Sequence, residues 1–272
     1  MARLEEALRA GGVVHAQQEA LWLLQAATEL ERGDLLLRQM PLPRDAEHKA
    51  LELAQRRASG EPLQYVTGVA GFRYLELRVG PGVFIPRPET ELVAERAMEL
   101  LPRNGVLVDV GTGSGAIALS VATERPDAFV FATESSSRAL EYATRNGREC
   151  DAAVEFFLCD LLTGLPERLR GAVDLCVSNP PYVPSSERRM LPTDVVEHEP
   201  HVALFGDEDG LGPIRRLVRD AHRWLRRDAW LVFEIGDRQG QAAQAILGEA
   251  GYRDTDVNRD LTGRERIAEG RM

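Results

Sequence analysis

The stretch "VSNPPYVP", residues 177–184, follows the apolar run "VDLCV" and carries residue types with chemical use. Proline cannot donate to a strand ladder, so the strand ends here with Asn179 at its lip. Pro180 and Pro181 leave carbonyls that only accept hydrogen bonds. A planar –NH2 group presents two hydrogens and one weakly basic nitrogen. The side-chain oxygen of Asn179 and the carbonyl of Pro180 can take one hydrogen each and aim that nitrogen at an electrophile, and Tyr182 offers a flat wall for a planar group. An amide nitrogen is a poor nucleophile. Alignment at a near-attack distance of about 3–3.5 Å must therefore supply several kcal/mol of the catalysis. No residue of the loop reads as a general base, so the proton leaves after transfer, once the nitrogen has become acidic.

A second constellation lies upstream. "VDVGTGSGAIAL" ends a strand on Asp109–Val110 and runs through Gly111, Thr112, Gly113, Ser114 and Gly115 into a helix. Glycines let a ligand approach the backbone closely, and the amides that open the helix suit an electronegative group. Glu134 closes the next strand, 23 residues after Gly111, where a carboxylate can accept from both hydroxyls of a ribose. The loop and the acid together specify a nucleoside ligand. They fit a dinucleotide as well as any other adenosine cofactor, because Gly111, Gly113 and Ala116 satisfy G-x-G-x-x-G/A with an acid about 20 residues on. A nicotinamide enzyme would leave the Asn-Pro-Pro-Tyr element without a role.

The elements that must position these residues fall into two halves. Up to about residue 60 the apolar positions recur at helical spacing: Leu4, Ala7 and Leu8; Ala20, Leu23, Leu24, Ala27 and Leu30; Ala46, Ala50, Leu53 and Ala54. These are packing stripes of a small bundle. "FRYLELRV" switches to strand character and reads as part of a hairpin over 71–86, after which Pro88 is placed to open a helix through "ETELVAERAMELL". From residue 105 apolar strands alternate with helices ("GVLVDV", "AFVFAT", "VEFFLC", "VDLCVS", "AWLVFEI"), with "GPIRRLVRDAHRWL" as the helix before the last of these. "YRDTDVNRD" and "RERIAEG" supply closing strands. The alternation predicts an α/β domain over 87–272, its mostly parallel sheet covered on both faces. In such a sheet, ligands bind outside the carboxyl ends of the strands. Asn179 is therefore expected to face the pocket formed by the glycine loop.

Charge narrows the partners. The net charge is −10 over 272 residues. Residues 1–88 carry 11 basic and 11 acidic side chains, so the whole imbalance falls on the α/β half, with 22 basic against 32 acidic. A nucleic-acid groove needs clustered positive charge, so stable nucleic-acid binding is not expected. Apolar runs are too short to span a bilayer and the N-terminus has no apolar signal core, which predicts a cytoplasmic protein without membrane contact; separately, a monomer is expected. Cys150, Cys159 and Cys176 form no metal-spaced pair, so no metal site is expected. Cys159 and Cys176 read as buried thiols acting as small hydrophobes.

The combined motifs resemble the HemK/PrmC family of peptide chain release factor methyltransferases. "PLQYVTG" (62–68), "FIPRPETE" (84–91), "DVGTGSGAIAL" (109–119), "VSNPPYVP" (177–184), "EHEPHVALFGDEDGL" (197–211) and "FEIGDRQG" (233–240) carry the likeness. The resemblance implies a class I S-adenosylmethionine-dependent methyltransferase, Rossmann-like with a seven-stranded sheet, joined by the hairpin to a helical domain over 1–70 that binds release factors. It implies methyl transfer from S-adenosyl-L-methionine to the side-chain amide nitrogen of the glutamine in the release factor's GGQ loop, a modification that modulates translation termination. By motif position, Gly111 to Gly115 hold the methionine and ribose portions of the cofactor, Glu134 the ribose hydroxyls, and Asp160 and Leu161 the adenine side. Asn179, Pro180, Pro181 and Tyr182 take the glutamine amide. Two positions depart from the family pattern: the ribose acid is usually aspartate, and Leu161 stands where an aromatic residue is common. The competing reading is an adenine-amino methyltransferase of DNA or RNA, which shares Asn-Pro-Pro-Tyr but would need to extrude a base and present a basic face.

Overall fold

The computed structural model describes residues 1–28, 30, 32–37 and 42–272. The backbone divides into two compact units, Met1–Val69 with Pro192–His198, and Ala70–Leu191 with Glu199–Met272.

The first unit is helical: α1 (Ala2–Ala10), α2 (Ala16–Thr28), α3 (Arg32–Leu37), α4 (Arg44–Ala58) and α5 (Leu63–Thr67). Leu4 and Leu8 of α1, Ala20, Leu23, Leu24 and Ala27 of α2, and Ala50 and Ala54 of α4 make one buried cluster. Their spacing at three, four and seven residues is what sets them on facing stripes. Leu30 lies past the end of α2, so the expected stripe stops at Ala27. Arg57 donates to the buried Glu19 at 2.7 Å and ties α4 to α2.

The second unit opens with the hairpin β1 (Val69–Phe72) and β2 (Leu75–Arg78), which buries Phe72 and Leu77 in its core. Helix α6 (Thr90–Leu100) follows. It starts two residues later than the proline rule suggests: Pro88 sits in a turn whose carbonyl accepts from Glu91 N at 3.1 Å. Then come β3 (Val106–Val110), α7 (Ala116–Glu124), β4 (Phe129–Glu134), α8 (Ser137–Glu149), β5 (Val154–Leu158) and β6 (Val173–Ser178). Helix α9 (Thr193–His198) groups with the first unit. The chain closes with α10 (Gly212–Ala221), β7 (Leu225–Glu234), α11 (Gly240–Glu249), β8 (Arg253–Arg259) and β9 (Glu265–Arg271).

The seven strands order β5-β4-β3-β6-β7-β9-β8, and β9 alone runs antiparallel to its neighbours. The switch point falls between β3 and β6, whose registers pair Leu107 with Leu175 and Asp109 with Val177. Both ligand motifs thus leave the sheet side by side. Two buried clusters cover its faces, one built on Val108, Cys176, Leu231 and Phe233 and the other on Leu107, Leu175, Val177 and Val232. Alternate residues of a strand point to opposite faces, which is why near-continuous apolar strands divide between the two. One boundary moved. The sequence pattern carries the helix of 212–225 through Trp224 and Leu225, yet α10 ends at Ala221 and Leu225 pairs with Val173 as the start of β7. Sheet pairing outcompetes helical spacing there.

Candidate active site

The two ligand motifs meet at the carboxyl edge of the sheet around a cavity of about 290 Å³. Gly111, Thr112, Gly113 and Ser114 line one wall, with Glu134 at the end of β4. Asp160 and Leu161, from the loop after β5, line it as well, and so do Asn179, Pro180 and Pro181 after β6. Phe84 and Thr90 contribute from the segment entering α6. Two of the expected residues stand apart from this lining. Gly115, at φ 90°, caps α7, and a Cβ there would meet Leu119 Cδ1 at 2.8 Å. Tyr182 packs against the core cluster, and its hydroxyl donates to Glu234 Oε1 at 2.9 Å.

The glycine loop is held open for a ligand. Gly111 and Gly113 hold φ of 73° and 60°, and no atom lies within 4 Å of where a Cβ would stand on either. A side chain would fill that space and strain the backbone. Glu134 is buried. Its Oε2 accepts from Gly113 N and its Oε1 from Ser136 N, each at 2.9 Å. Beneath the loop, Asp109 is 1% exposed. Its Oδ2 accepts from Thr112 Oγ1 at 2.6 Å and Ala118 N at 3.1 Å, while Oδ1 is buried without a hydrogen-bond partner. Burial above all, with the nearby Glu134 charge adding to it, pushes the Asp109 carboxyl up to about 7. A cradle open at two glycines, edged by the Glu134 carboxylate and with the orphaned Asp109 Oδ1 buried beneath it, fits a cofactor bearing hydroxyl groups.

Asn179 donates one of its two amide hydrogens to Thr90 Oγ1 at 3.0 Å, and its amide oxygen makes no hydrogen bond within the described residues. Thr90 in turn donates to Glu234 Oε2 at 2.6 Å. Neither Thr90 nor Glu234 stands out by composition or period. Both fall inside the segments "FIPRPETE" and "FEIGDRQG", so motif likeness was the signal that pointed to them. Asn146, by contrast, has no sequence cue: it is buried in α8, accepts from Arg78 N at 2.7 Å and donates to Ser114 O at 2.8 Å. It thereby pins the glycine loop to the hairpin.

The mouth of the cavity is polar. Asp160 is exposed and accepts from Arg216 of α10. Leu161 holds φ 49°, a left-handed backbone that turns the chain past the cavity. Arg87 stacks over the Phe84 ring at 4.8 Å and pairs with Glu199, which also accepts from Ile85 N at 3.1 Å. Burial raises all three thiols. Cys176 is fully buried as expected, whereas Cys159 is only half-buried and lines the cavity. Among the described residues, no group of three or more His, Cys, Asp or Glu could hold a metal ion.

Comparison with known proteins decides among the readings that share this geometry. Residues 1–68 match the family described as PrmC N-terminal domain, and residues 78–200 match the Methyltransferase small domain. The release factor glutamine methyltransferase of Streptomyces coelicolor is 42% identical over 278 residues, covering 100% of this chain and 96% of that protein. The chain belongs to the release factor glutamine methyltransferase family. The Neisseria gonorrhoeae member is 40% identical over 255 residues, covering 93% of this chain and 92% of that protein. A solved methyltransferase from Pyrococcus furiosus shares the fold at a TM-score of 0.55 and 19% identity, over 72% of this chain and 88% of that one. Membership fits the seven-stranded sheet order seen here. Among the described residues no helix is long and apolar enough to cross a membrane.

Proposed function

We propose that this chain transfers a methyl group from S-adenosyl-L-methionine to the side-chain amide nitrogen of a glutamine, the one in the GGQ loop of peptide chain release factors. When bound, the cofactor supplies an electrophilic methyl carbon on a cationic sulfur. The chain's own residues do the rest. Gly111 to Ser114 receive the cofactor's methionine and ribose portions, and Glu134 takes the ribose hydroxyls. The longer side chain of glutamate reaches the same place as aspartate with one more methylene. Asp160 and Leu161 bound the adenine side, with an apolar wall in place of an aromatic one. The Asn179 amide oxygen and the Pro180 carbonyl accept the two hydrogens of the substrate amide and hold its nitrogen in line with the methyl group. That nitrogen receives the methyl group, the cofactor's sulfur keeping the electron pair of the S–C bond. The proton is lost from the product nitrogen, and no basic side chain is required beforehand.

The observation that carries this reading is the polarity of Asn179. One of its two amide hydrogens is committed to Thr90 while its oxygen has no partner among the described residues, so it can offer a ligand an acceptor, and an –NH2 group is a partner that needs one. Tyr182, with its hydroxyl on Glu234, acts from behind the loop rather than as an exposed wall. The N-terminal unit serves as the docking element for the release factor, matching as it does the PrmC N-terminal domain over residues 1–68. The −10 charge, concentrated in the catalytic half, favours a protein over a nucleic acid as substrate. The test is transfer of label from methyl-labelled S-adenosylmethionine to a purified release factor, beside the same factor carrying Gln→Ala in its GGQ loop. Label on the first alone supports the assignment. Label on duplex DNA or RNA, with neither factor labelled, would sink it.

A further inference from the structure

Four residues far apart in sequence converge beneath the amide-binding loop: Thr90 at the start of α6, Asn179 and Tyr182 after β6, and Glu234 at the end of β7. Thr90 is 4% exposed and Glu234 1%. Both hydroxyl hydrogens in this group, and one of the two amide hydrogens of Asn179, have an acceptor within it. A carboxylate only accepts. Glu234 takes the Tyr182 hydroxyl on Oε1 at 2.9 Å and the Thr90 hydroxyl on Oε2 at 2.6 Å. Thr90 has a single hydrogen, and it is spent on Glu234. Its oxygen is left to accept, and Asn179 Nδ2 donates to it at 3.0 Å. A carboxamide anchored by its nitrogen has its oxygen on the other side of the group.

We propose that Glu234, acting through Thr90, sets the hydrogen-bond polarity of Asn179 so that its carbonyl oxygen, and not its –NH2, is presented to the substrate amide. The proposal rests on the reading of Asn179 as the acceptor for that amide. Thr90 and Glu234 are positioning residues in it, since neither needs to touch the reacting atoms. The relay has a directional signature. A glutamine at 234 could donate to Thr90, which frees the Thr90 hydrogen to face Asn179 and makes the flipped amide as comfortable as the native one. A flipped Asn179 sets its own –NH2 against the –NH2 of the substrate. The shape of the site is then unchanged and its polarity is reversed.

The experiment uses the full-length protein and three near-isosteric variants, Thr90→Val, Thr90→Ser and Glu234→Gln, each beside wild type. Steady-state methyl transfer to a release factor gives kcat and KM, and calorimetric titration gives the Kd for S-adenosylmethionine. Thr90→Val and Glu234→Gln are expected to lower kcat by about 10- to 100-fold, the cost of a misaligned near-attack geometry. Cofactor Kd should stay within about threefold, because the cradle is untouched. Thr90→Ser, which restores the hydroxyl, should recover most of the kcat that valine loses. The relay is overturned if Thr90→Val keeps the wild-type kcat, or if serine is as poor as valine. It is also overturned if kcat and cofactor affinity fall together, as a merely structural network would make them do. Should Glu234→Gln not fold, the valine–serine pair still decides. A release factor left unlabelled by the wild-type chain would instead overturn the functional reading beneath the relay.

Discussion

At the scale of single residues, the site combines one polar group with a reserved acceptor and one acid with an orphaned oxygen. Asn179 is the first. Asn179→Ala removes the acceptor from the substrate amide while leaving the glycine loop intact, so kcat should fall about 100-fold or more. Cofactor affinity measured by titration should be preserved; a variant with wild-type turnover would refute the assignment. Asp109 is the second. Its folded-state value of about 7 lies above the ordinary 3.8, so the fold favours the protonated form. The sign follows: the stability tied to this proton is complete below about pH 4 and is lost as pH rises to about 7. The difference amounts to on the order of 4 kcal/mol for the cofactor-free protein. Denaturant unfolding of wild type and Asp109→Asn at several pH values checks this. The gap between the two should change across that window in favour of the asparagine variant as pH rises, and a pH-independent gap would contradict it.

At the scale of elements, what matters is how the glycine loop and the amide-binding loop are held. The sheet brings β3 and β6 together, and both loops leave from their carboxyl ends. The hairpin is latched to this edge from the side. Arg73 makes two hydrogen bonds to Glu124 of α7, at 2.6 and 2.7 Å, and Asn146 bridges Arg78 to Ser114. Helix α6, which carries Thr90, is tied to β9 by Arg96, whose two hydrogen bonds to the buried Glu269 are both 2.7 Å. Removing a side chain from such a latch leaves buried backbone groups unpaired, which costs more than the bonds themselves contribute. Asn146→Ala should therefore lower stability by roughly 2–4 kcal/mol. It should also weaken cofactor binding, since Ser114 sits in the cradle. A variant with lowered Tm and unchanged cofactor Kd would show that the hairpin supports the fold without supporting the loop.

At the scale of the whole molecule, the proposed function divides the labour between the two units. The cofactor cradle, the amide-binding loop and the relay behind it all lie in the second unit. That unit has its own two-sided core, so a chain lacking residues 1–69 is expected to bind S-adenosylmethionine with a Kd close to that of the full chain. It should fail to label a release factor, if the helical unit is what docks that partner. Retained labelling would move the docking surface to the α/β unit. The segment Pro192–His198 groups with the helical unit although it lies between β6 and α10 in the chain.

The amino-acid sequence by itself determined the two halves, the alternation of strands and helices, and the ordered trio of glycine loop, carboxylate and Asn-Pro-Pro-Tyr. Each of these is written in local periodicity or in residue types whose backbone freedom is unusual, so neighbours along the chain are enough to read them. The seven-stranded sheet came from likeness to a family, whereas its strand order and the antiparallel β9 were set by the tertiary structure. The tertiary structure alone decided which way Asn179 points, that Tyr182 turns from the cavity to Glu234, that Leu225 joins β7 instead of extending α10, and that Asn146 holds the loop. All four depend on partners 32 or more residues away. Buried polar groups must find those partners wherever the fold brings them. No local pattern records that requirement.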